Sequence, residues 1–510
     1  MAVSNEHIAM EVVRRARAKT IRDPAWFFKN VLNESPLAWQ LRGVNAALDP
    51  YRKTHGIKVV TNRKALPRIS VRSCHGTGKT QWLAQLMHTW NFLFPTLIAC
   101  TAPKEAQLKR RLWPRYRKVM KNAIEEYRQN IIVNAGDVQC YGDPDWGAVA
   151  ETASDPDNLA GYHDTPQLFL VDEASAKRLD PMFPVIEGAL TTPGSVSVEI
   201  GNPTRTEGEF YNHHNKKGTK ELYYRMHIKP GDAPELISQD WIDAMIAKYG
   251  VDSPIVKIRV FGEFAAYDDY ILIPYDYIID ALDLEEEPDG SVPRLRVTVD
   301  VADGGADGTV VTAARHYKTF TQVLKQRQFY FPPSESPVKA ARAALEMYRG
   351  FGGSNLNGDD FVIDANGVGA GTAGNLMDKS FTGGEELTVI QYRGGETQHV
   401  ISSKYRNQRV QNYITLYEWF RDGFIRFSPG AVDDEDELAA QLLSIKRNVD
   451  NERVDDIQTR RQMKQDGIDS PDRADSLQLQ CMRVLPTSTV NKNAGGISVL
   501  SEAMGANADW

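Results

Sequence analysis

Cysteine is scarce in this chain. Its four cysteines, Cys74, Cys100, Cys140 and Cys481, are spread over 510 residues. No two stand in a CxxC spacing. That argues against a disulfide framework and a cysteine zinc site and fits a reducing, intracellular compartment. Long apolar runs are missing too: no stretch approaches the roughly 18 consecutive apolar residues of a membrane-spanning helix. The opening segment, MAVSNEHIAMEVVRRARAKT, has no apolar core of a secretory signal. Membrane-embedded and secreted classes are therefore not expected. Net positive charge is also absent, since 60 Lys and Arg stand against 67 Asp and Glu, a formal charge of −7. A globally basic nucleic-acid binder is excluded on that count. Internal repeats and long low-complexity blocks are not found.

What is present is an ordinary globular composition, 42% hydrophobic and 25% charged. The length suggests about three domains. Strand-like runs alternate with helix-like spacing in the first half, which predicts an α/β fold with a mainly parallel sheet. The second half restarts with period-two alternation at Leu295, Val297, Val299 and Val301, then a glycine turn and a return strand. It reads as a mixed-sheet domain. The expected division is an N-terminal helical segment over 1–35, an α/β domain over 36–265, a linker over 266–293, the mixed-sheet domain over 294–485 and a mobile tail over 486–510. One local charge patch stands out. Lys104 to Lys121 carries eight Lys or Arg and one Glu, either as a solvated helix face or as a surface for a polyanion.

Residues 73–80 read Ser-Cys-His-Gly-Thr-Gly-Lys-Thr, after a strand and at the opening of a helix. That is the context of a phosphate-binding loop. Gly76 and Gly78 let the backbone of Ser73, Cys74, His75 and Thr77 curl so that its N–H groups face a phosphate. Lys79 would reach the β and γ phosphates of ATP, and the Thr80 hydroxyl would hold Mg²⁺. Ser73 stands where such loops usually begin with glycine. A second strand, Leu168 to Val171, delivers Asp172 and Glu173 at its carboxyl end. Asp172 is the expected Mg²⁺ ligand and Glu173 the base that activates water. A third strand ends at Gly201-Asn202-Pro203-Thr204, where Asn202 and Thr204 could sense hydrolysis. Gln40, in Trp39-Gln40, could read adenine, because its amide both donates and accepts.

The second half holds an acidic set. Asp300 ends the strand LRVTVD, Asp364 ends FVID, and Asp472 and Asp475 lie at the start of a helix. Two Mg²⁺ or Mn²⁺ ions need several converging carboxylates, and such a pair cleaves phosphodiesters. The pattern is that expected of a nuclease on an RNase H-like sheet. Either Asp472 or Asp475 supplies the third carboxylate, with a slight preference for Asp472. Asp303 and Asp307 are further candidates.

Taken in order, PLAWQ, SCHGTGKT, CTAPKEAQ, NLAGYH, LFLVDEAS, IGNPTRTEGEFY, VDVADGG, VIDANGVGAG and SPDRADSL resemble the large terminase subunit of tailed bacteriophages. The resemblance covers roughly residues 35–485. It implies an ATP-driven motor that moves double-stranded DNA into a procapsid, joined to an endonuclease that cuts concatemeric DNA. It implies a portal protein and a small terminase subunit as partners. It implies a ring-forming homo-oligomer, a pentamer on the procapsid, working in the host cytoplasm at the portal vertex. It assigns Asn202 to Thr204 to coupling and Gln40 to the adenine side, and it leaves His163, in GYH, between a functional and a packing role. Some relatives carry an arginine inside the phosphate loop. Here that stretch has His75, which leaves Arg178, Arg205 and the 104–121 segment as sources of a catalytic arginine. A helicase-like translocase without nuclease activity, and a non-enzymatic assembly protein, are the competing readings.

Overall fold

The computed structural model describes residues 5–104, 107–152, 156–162, 166–265, 270–283, 290–303, 308–397, 399–448 and 456–483. Asp307, His163 and the expected tail lie outside these residues. The chain divides into two compact units, Met1–Glu286 with Ile425–Lys446, and Glu287–Phe424 with Arg447–Trp510.

The first unit is built on eight strands: β1 (Arg68–Ser73), β2 (Leu97–Ala102), β3 (Ile131–Val133), β4 (Asp137–Cys140), β5 (Asp143–Thr152), β6 (Leu168–Asp172), β7 (Val196–Gly201) and β8 (Tyr223–Ile228). Their order is β3-β4-β5-β2-β6-β7-β1-β8. β5, β2, β6, β7, β1 and β8 run parallel, and β3 and β4 form an antiparallel edge. The apolar runs of β2 and β6 are buried almost end to end, as a parallel sheet covered on both faces requires. The helix Lys79–Leu93 places Trp82, Leu83, Leu86, Met87 and Trp90 in the core. It meets the helix Ala38–Thr54 at Gly43, where a Cβ would come within 2.6 Å of the Trp82 ring. Only glycine permits that approach.

The stretch 266–293, read from its acidic, Pro- and Gly-containing composition as a linker, holds a packed helix, Tyr275–Asp283. Tyr275, Ile278 and Ala281 are buried. The apolar spacing at i, i+3 and i+6 puts these side chains on the inner side of the helix, between the charged residues around it.

The second unit contributes β9 (Arg294–Asp300), β10 (Thr309–His316), β11 (Thr321–Phe329), β12 (Asp360–Asp364) and β13 (Val389–Tyr392), in the order β13-β12-β9-β10-β11. β10 is antiparallel to β9 and β11, whereas β12 is parallel to β9 and β13. This is the RNase H-like arrangement. One face of the sheet is apolar: Val297, Val299, Val311, Ala313, Phe361 and Ile363 pack with Ala340 and Ala344 of the helix Ser336–Gly350. The other face carries a buried polar layer. Thr298 Oγ1 donates to Ser476 O (2.8 Å), and Gln326 Nε2 donates to Thr312 Oγ1 and Arg473 O (both 3.0 Å). Gln480 Nε2 donates to Thr312 O (3.0 Å). These bonds seat the helix Asp472–Gln478 on the sheet.

A buried ion pair fastens the same helix further along. Arg296 donates through Nε and Nη2 to the two oxygens of Asp360 (2.7 and 2.8 Å), and through Nη1 to Gln480 O (3.1 Å) and Met482 O (2.6 Å). Removing Arg296 leaves the buried Asp360 with only the 3.5 Å contact to Arg294, and breaking a buried pair in this way costs about 3–5 kcal/mol. Arg296→Ala is therefore expected to lower unfolding free energy by about that amount in a denaturant titration. The double variant Arg296→Met/Asp360→Leu should recover most of it. A single-variant loss under about 0.5 kcal/mol would show that the pair does not hold the segment.

Candidate functional sites

β1 ends at Ser73, and the helix begins at Lys79. The loop between them turns through left-handed backbone at Gly76 (φ +75°) and Gly78 (φ +82°), a region glycine enters without Cβ strain. Ser73 Oγ lies 2.6 Å from Thr77 Oγ1. The serine at the unusual position thus ties the two ends of the loop together. The N–H groups of Cys74 and His75 donate to Ile228 O (3.1 Å) and Arg259 O (2.8 Å). These two bonds anchor the first half of the loop. Burial pushes the Cys74 thiol up to about 12 and holds His75 well below its ordinary range, so both are neutral. Gln40, only 2% exposed, accepts from Leu37 N–H (2.9 Å) and donates to Gly78 O (3.2 Å). It braces the loop from behind.

β7 is inserted between β1 and β6, so its end lies between the loop and the acid pair. Asn202 exploits that position: its Nδ2 donates to Ser73 O and its Oδ1 accepts from Lys79 Nζ, both at 2.6 Å. Asp172 is buried at the end of β6 and accepts from Glu173 N–H (3.0 Å). Its carboxyl is pushed up to about 7, first by burial and then by the Glu173 charge, against the opposing pull of Lys79. Glu173 has φ +50°, a conformation that costs a non-glycine residue roughly 1–3 kcal/mol. The turn is held from below by Ala174 N–H donating to Ile200 O (3.0 Å). Gly201 makes room for it, since a Cβ there would lie 2.9 Å from Ala174 N.

Thr204 reaches the acid loop: its Oγ1 donates to Ser175 Oγ (2.9 Å), which also accepts from Thr204 N–H and Arg205 N–H. Ser175 carries no signal in the sequence beyond its place after the acids. Arg205 is 4% exposed and paired with Asp180 at 3.0 Å, so it is a structural cation. Arg178 is exposed, and its Nη1 donates to Pro103 O (3.4 Å).

In the second unit, β9 and β12 are adjacent and parallel, with Ile363 opposite Val299. Asp300 and Asp364 therefore emerge side by side. Arg460, on the short helix Arg460–Gln465, reaches into them. Its Nη2 lies 2.9 Å from Asp475 Oδ2, 3.7 Å from Asp300 Oδ1 and 3.8 Å from Asp364 Oδ2. Asp475 Oδ1 accepts from Tyr413 OH (2.8 Å), and Arg409 Nε is 3.7 Å from the same oxygen. Asp364 Oδ1 accepts from Asn366 N–H and Nδ2 (3.1 and 2.7 Å). Asp472 Oδ2 accepts from Gly308 N–H (2.9 Å). The guanidinium thus gathers Asp300, Asp364 and Asp475, while Asp472 fastens the start of β10. Asp303 is exposed. Beside the acids lies a cleft of about 230 Å³ lined by Asp364, Asp475, Asn366, Arg406, Arg409 and Arg460.

Burial pushes Asp300 and Asp364 up, and Asp475 repels both. Burial also opposes ionisation of Asp475, but Arg460, Arg409 and the Tyr413 bond outweigh it and hold Asp475 below its ordinary value. The Asp475 charge in turn holds Arg460 firmly protonated. The donor chemistry, buried carboxylate oxygens around a cation, suits a hard divalent ion. Among the described residues, no group of three His, Cys, Asp or Glu side chains is closed into a metal cage. The acids are instead arranged around arginine.

No family model matches the chain. A curated protein of Enterobacteria phage P7, described as "Probable terminase, large subunit", is 25% identical over 389 residues, 72% of this chain and 76% of that protein. In sequence, this chain is similar to that phage protein over most of its length. Solved structures similar to it include a large terminase from a thermophilic bacteriophage (10% identity, 88% of this chain and 98% of that one, TM-score 0.38). Another is the nuclease domain of the large terminase subunit of bacterial virus Sf6 (22% identity, 42% of this chain and 99% of that one, TM-score 0.33). Among the described residues no helix is long and apolar enough to cross a membrane.

The raised Asp172 carboxyl has a stability consequence. A free aspartate ionises near 3.9, so the folded chain retains a proton that the unfolded chain has lost. Stability is then lost as pH rises from about 4 through about 7. Asp172→Asn removes this penalty. It is expected to raise the melting temperature by roughly 2–4 °C at pH 8, with a smaller gain at pH 5. Equal gains at both pH values, read by differential scanning fluorimetry, would contradict the burial of a charge there.

Proposed function

We propose that this chain is the ATP-hydrolysing and DNA-cutting subunit of a phage DNA-packaging machine. The observation that carries the reading is the presence of two separate acidic centres in one chain. One stands beside a phosphate loop and the other beside a cleft lined by arginines. In the first centre, the loop from Gly76 to Thr80 holds the ATP phosphates, with Lys79 exchanging Asn202 for a phosphate oxygen. Thr80 and Asp172 are the residues that would hold Mg²⁺, which supplies charge neutralisation across the β and γ phosphates. Glu173 takes the proton of the attacking water. When Lys79 leaves Asn202, the bond from Asn202 to Ser73 O remains. The state of the phosphates is thereby passed to β7 and, through Thr204 and Ser175, back to the acid loop.

In the second centre, Asp300, Asp364 and Asp475, with Asp472 close by, would hold two Mg²⁺ or Mn²⁺ ions. Such a pair supplies an activated water and stabilises the leaving oxygen of a phosphodiester. Arg406 and Arg409 hold the DNA backbone along the cleft, and Arg460 balances the charge of the carboxylates. The substrate is double-stranded DNA, moved into a procapsid and cut from a concatemer. The partners are a portal protein and a small terminase subunit. The working form is a ring, a pentamer on the procapsid, assembled in the host cytoplasm at the portal vertex.

Glu173→Ala separates the two activities. Its ATP hydrolysis should fall by at least about 10²-fold, while plasmid cleavage in Mn²⁺ persists. Normal hydrolysis by this variant, measured as phosphate release, would overturn the assignment of the base.

A further inference from the structure

The two oxygens of Asp475 have different partners. Oδ2 meets Arg460 Nη2 at 2.9 Å, and that same nitrogen lies 3.7 Å from Asp300 Oδ1 and 3.8 Å from Asp364 Oδ2. Oδ1 instead accepts from the Tyr413 hydroxyl (2.8 Å). Asp364 is divided in the same way: Asn366 donates twice to its Oδ1, and its Oδ2 is the oxygen near Arg460. In each carboxylate one oxygen is taken by a fixed protein donor, and the other is left to the shared cation.

Tyr413 is fully buried within the helix Gln408–Arg421. A buried hydroxyl is costly unless it is hydrogen-bonded, and this one is bonded to Asp475. Phenylalanine would fill the same space without that demand. The ring itself is held. Arg409, one turn earlier on the helix, lies over it at 5.0 Å from the ring centre. Arg409 Nη1 also donates to Gln458 O (2.8 Å), two residues before Arg460. The Tyr413 hydroxyl and the Arg460 guanidinium therefore reach Asp475 from two segments that Arg409 ties together. This bracing matters because the terminal torsion of an aspartate is soft. The backbone of Asp475 is fixed by its N–H donating to Pro471 O (2.7 Å), but that bond does not choose between the two oxygens. The Tyr413 hydroxyl does.

We propose that Tyr413 is a positioning residue of the second centre. By occupying Oδ1 it presents Oδ2 of Asp475, together with Asp300 and Asp364, to a divalent ion. The inference rests on the reading of these acids as metal ligands and adds the residue that orients one of them. Groups that orient a ligand from outside the coordination sphere carry roughly 10- to 100-fold in metal affinity.

The test is a Mn²⁺ titration of the full chain without nucleotide or DNA, read from the electron paramagnetic resonance signal of the free ion. Plasmid cleavage is then followed across Mn²⁺ concentrations. Tyr413→Phe keeps the ring and should weaken Mn²⁺ binding about 10-fold. The Mn²⁺ concentration for half-maximal cleavage should rise by the same factor, with most of the rate recovered at saturating Mn²⁺. Asp475→Asn should weaken binding on its own, and adding Tyr413→Phe to it should weaken it no further, because the two act as one unit. Tyr417→Phe, one turn further along the same helix, should bind Mn²⁺ as wild type does. Wild-type affinity in Tyr413→Phe, a loss that simply adds to that of Asp475→Asn, or an equal loss in Tyr417→Phe would overturn the proposal. Wild-type protein that binds no Mn²⁺ would overturn the metal reading beneath it, before any variant is compared.

Discussion

Carboxylates driven out of water at the ends of parallel strands set the terms for both halves of this molecule. β6 delivers Asp172 and Glu173 into a buried corner. β9 and β12 deliver Asp300 and Asp364 side by side, and a helix adds Asp475. Like charges at such spacing repel, and burial penalises each of them. The fold meets each concentration of charge with one long cation. Lys79 opposes the rise of Asp172, and Arg460 lies between Asp300, Asp364 and Asp475. In each case the cation occupies ground that a phosphate or a metal ion would contest.

The surrounding architecture keeps these unfavourable groupings from relaxing. Around the phosphate loop, Asn202, Ser73 and Gln40 brace a glycine turn from both sides, and Glu173 is held at positive φ by the bond beneath it. Around the second centre, the polar layer of Thr298, Thr312, Gln326 and Gln480 seats the helix of Asp475, and the Arg296–Asp360 pair fastens its continuation. A satisfied buried polar network fixes one arrangement where an apolar interface would tolerate several. The stability spent on strained backbone and crowded acids is the usual signature of a site built for chemistry.

Much of this was legible in the residues. β1, β2, β6, β7, β9 and β12 coincide with apolar runs, and the last four end in glycine or acid, because strands buried on both faces leave so plain a pattern. The phosphate loop, Asp172, Glu173, Asp300 and Asp364 follow from those strand ends. What stayed hidden depends on distant contacts. Arg460 lies on a six-residue helix with no motif around it. Asp472 and Asp475 share the opening turn of one helix; the Gly308 N–H binds the first, whereas Arg460, Arg409 and the Tyr413 hydroxyl surround the second. Arg205, one of three arginine sources the sequence leaves open, is enclosed by Asp180 and Asp276, contacts that no local pattern announces. Tyr275–Asp283 was obscured by the acidic stretch that follows it. The grouping of Ile425–Lys446 with the first unit has no local signature, since a chain's return to an earlier domain is written only in its contacts.

Conversion of supercoiled plasmid in Mn²⁺ by wild type and by Asp364→Ala tests the account most directly, with ATP hydrolysis measured on the same samples. The account predicts that the variant loses nicking and linearisation while its ATP hydrolysis is retained, because Asp364 belongs to the second centre alone. Cleavage at the wild-type rate by Asp364→Ala would contradict the assignment of that centre and, with it, the division of the chain into two separate chemistries.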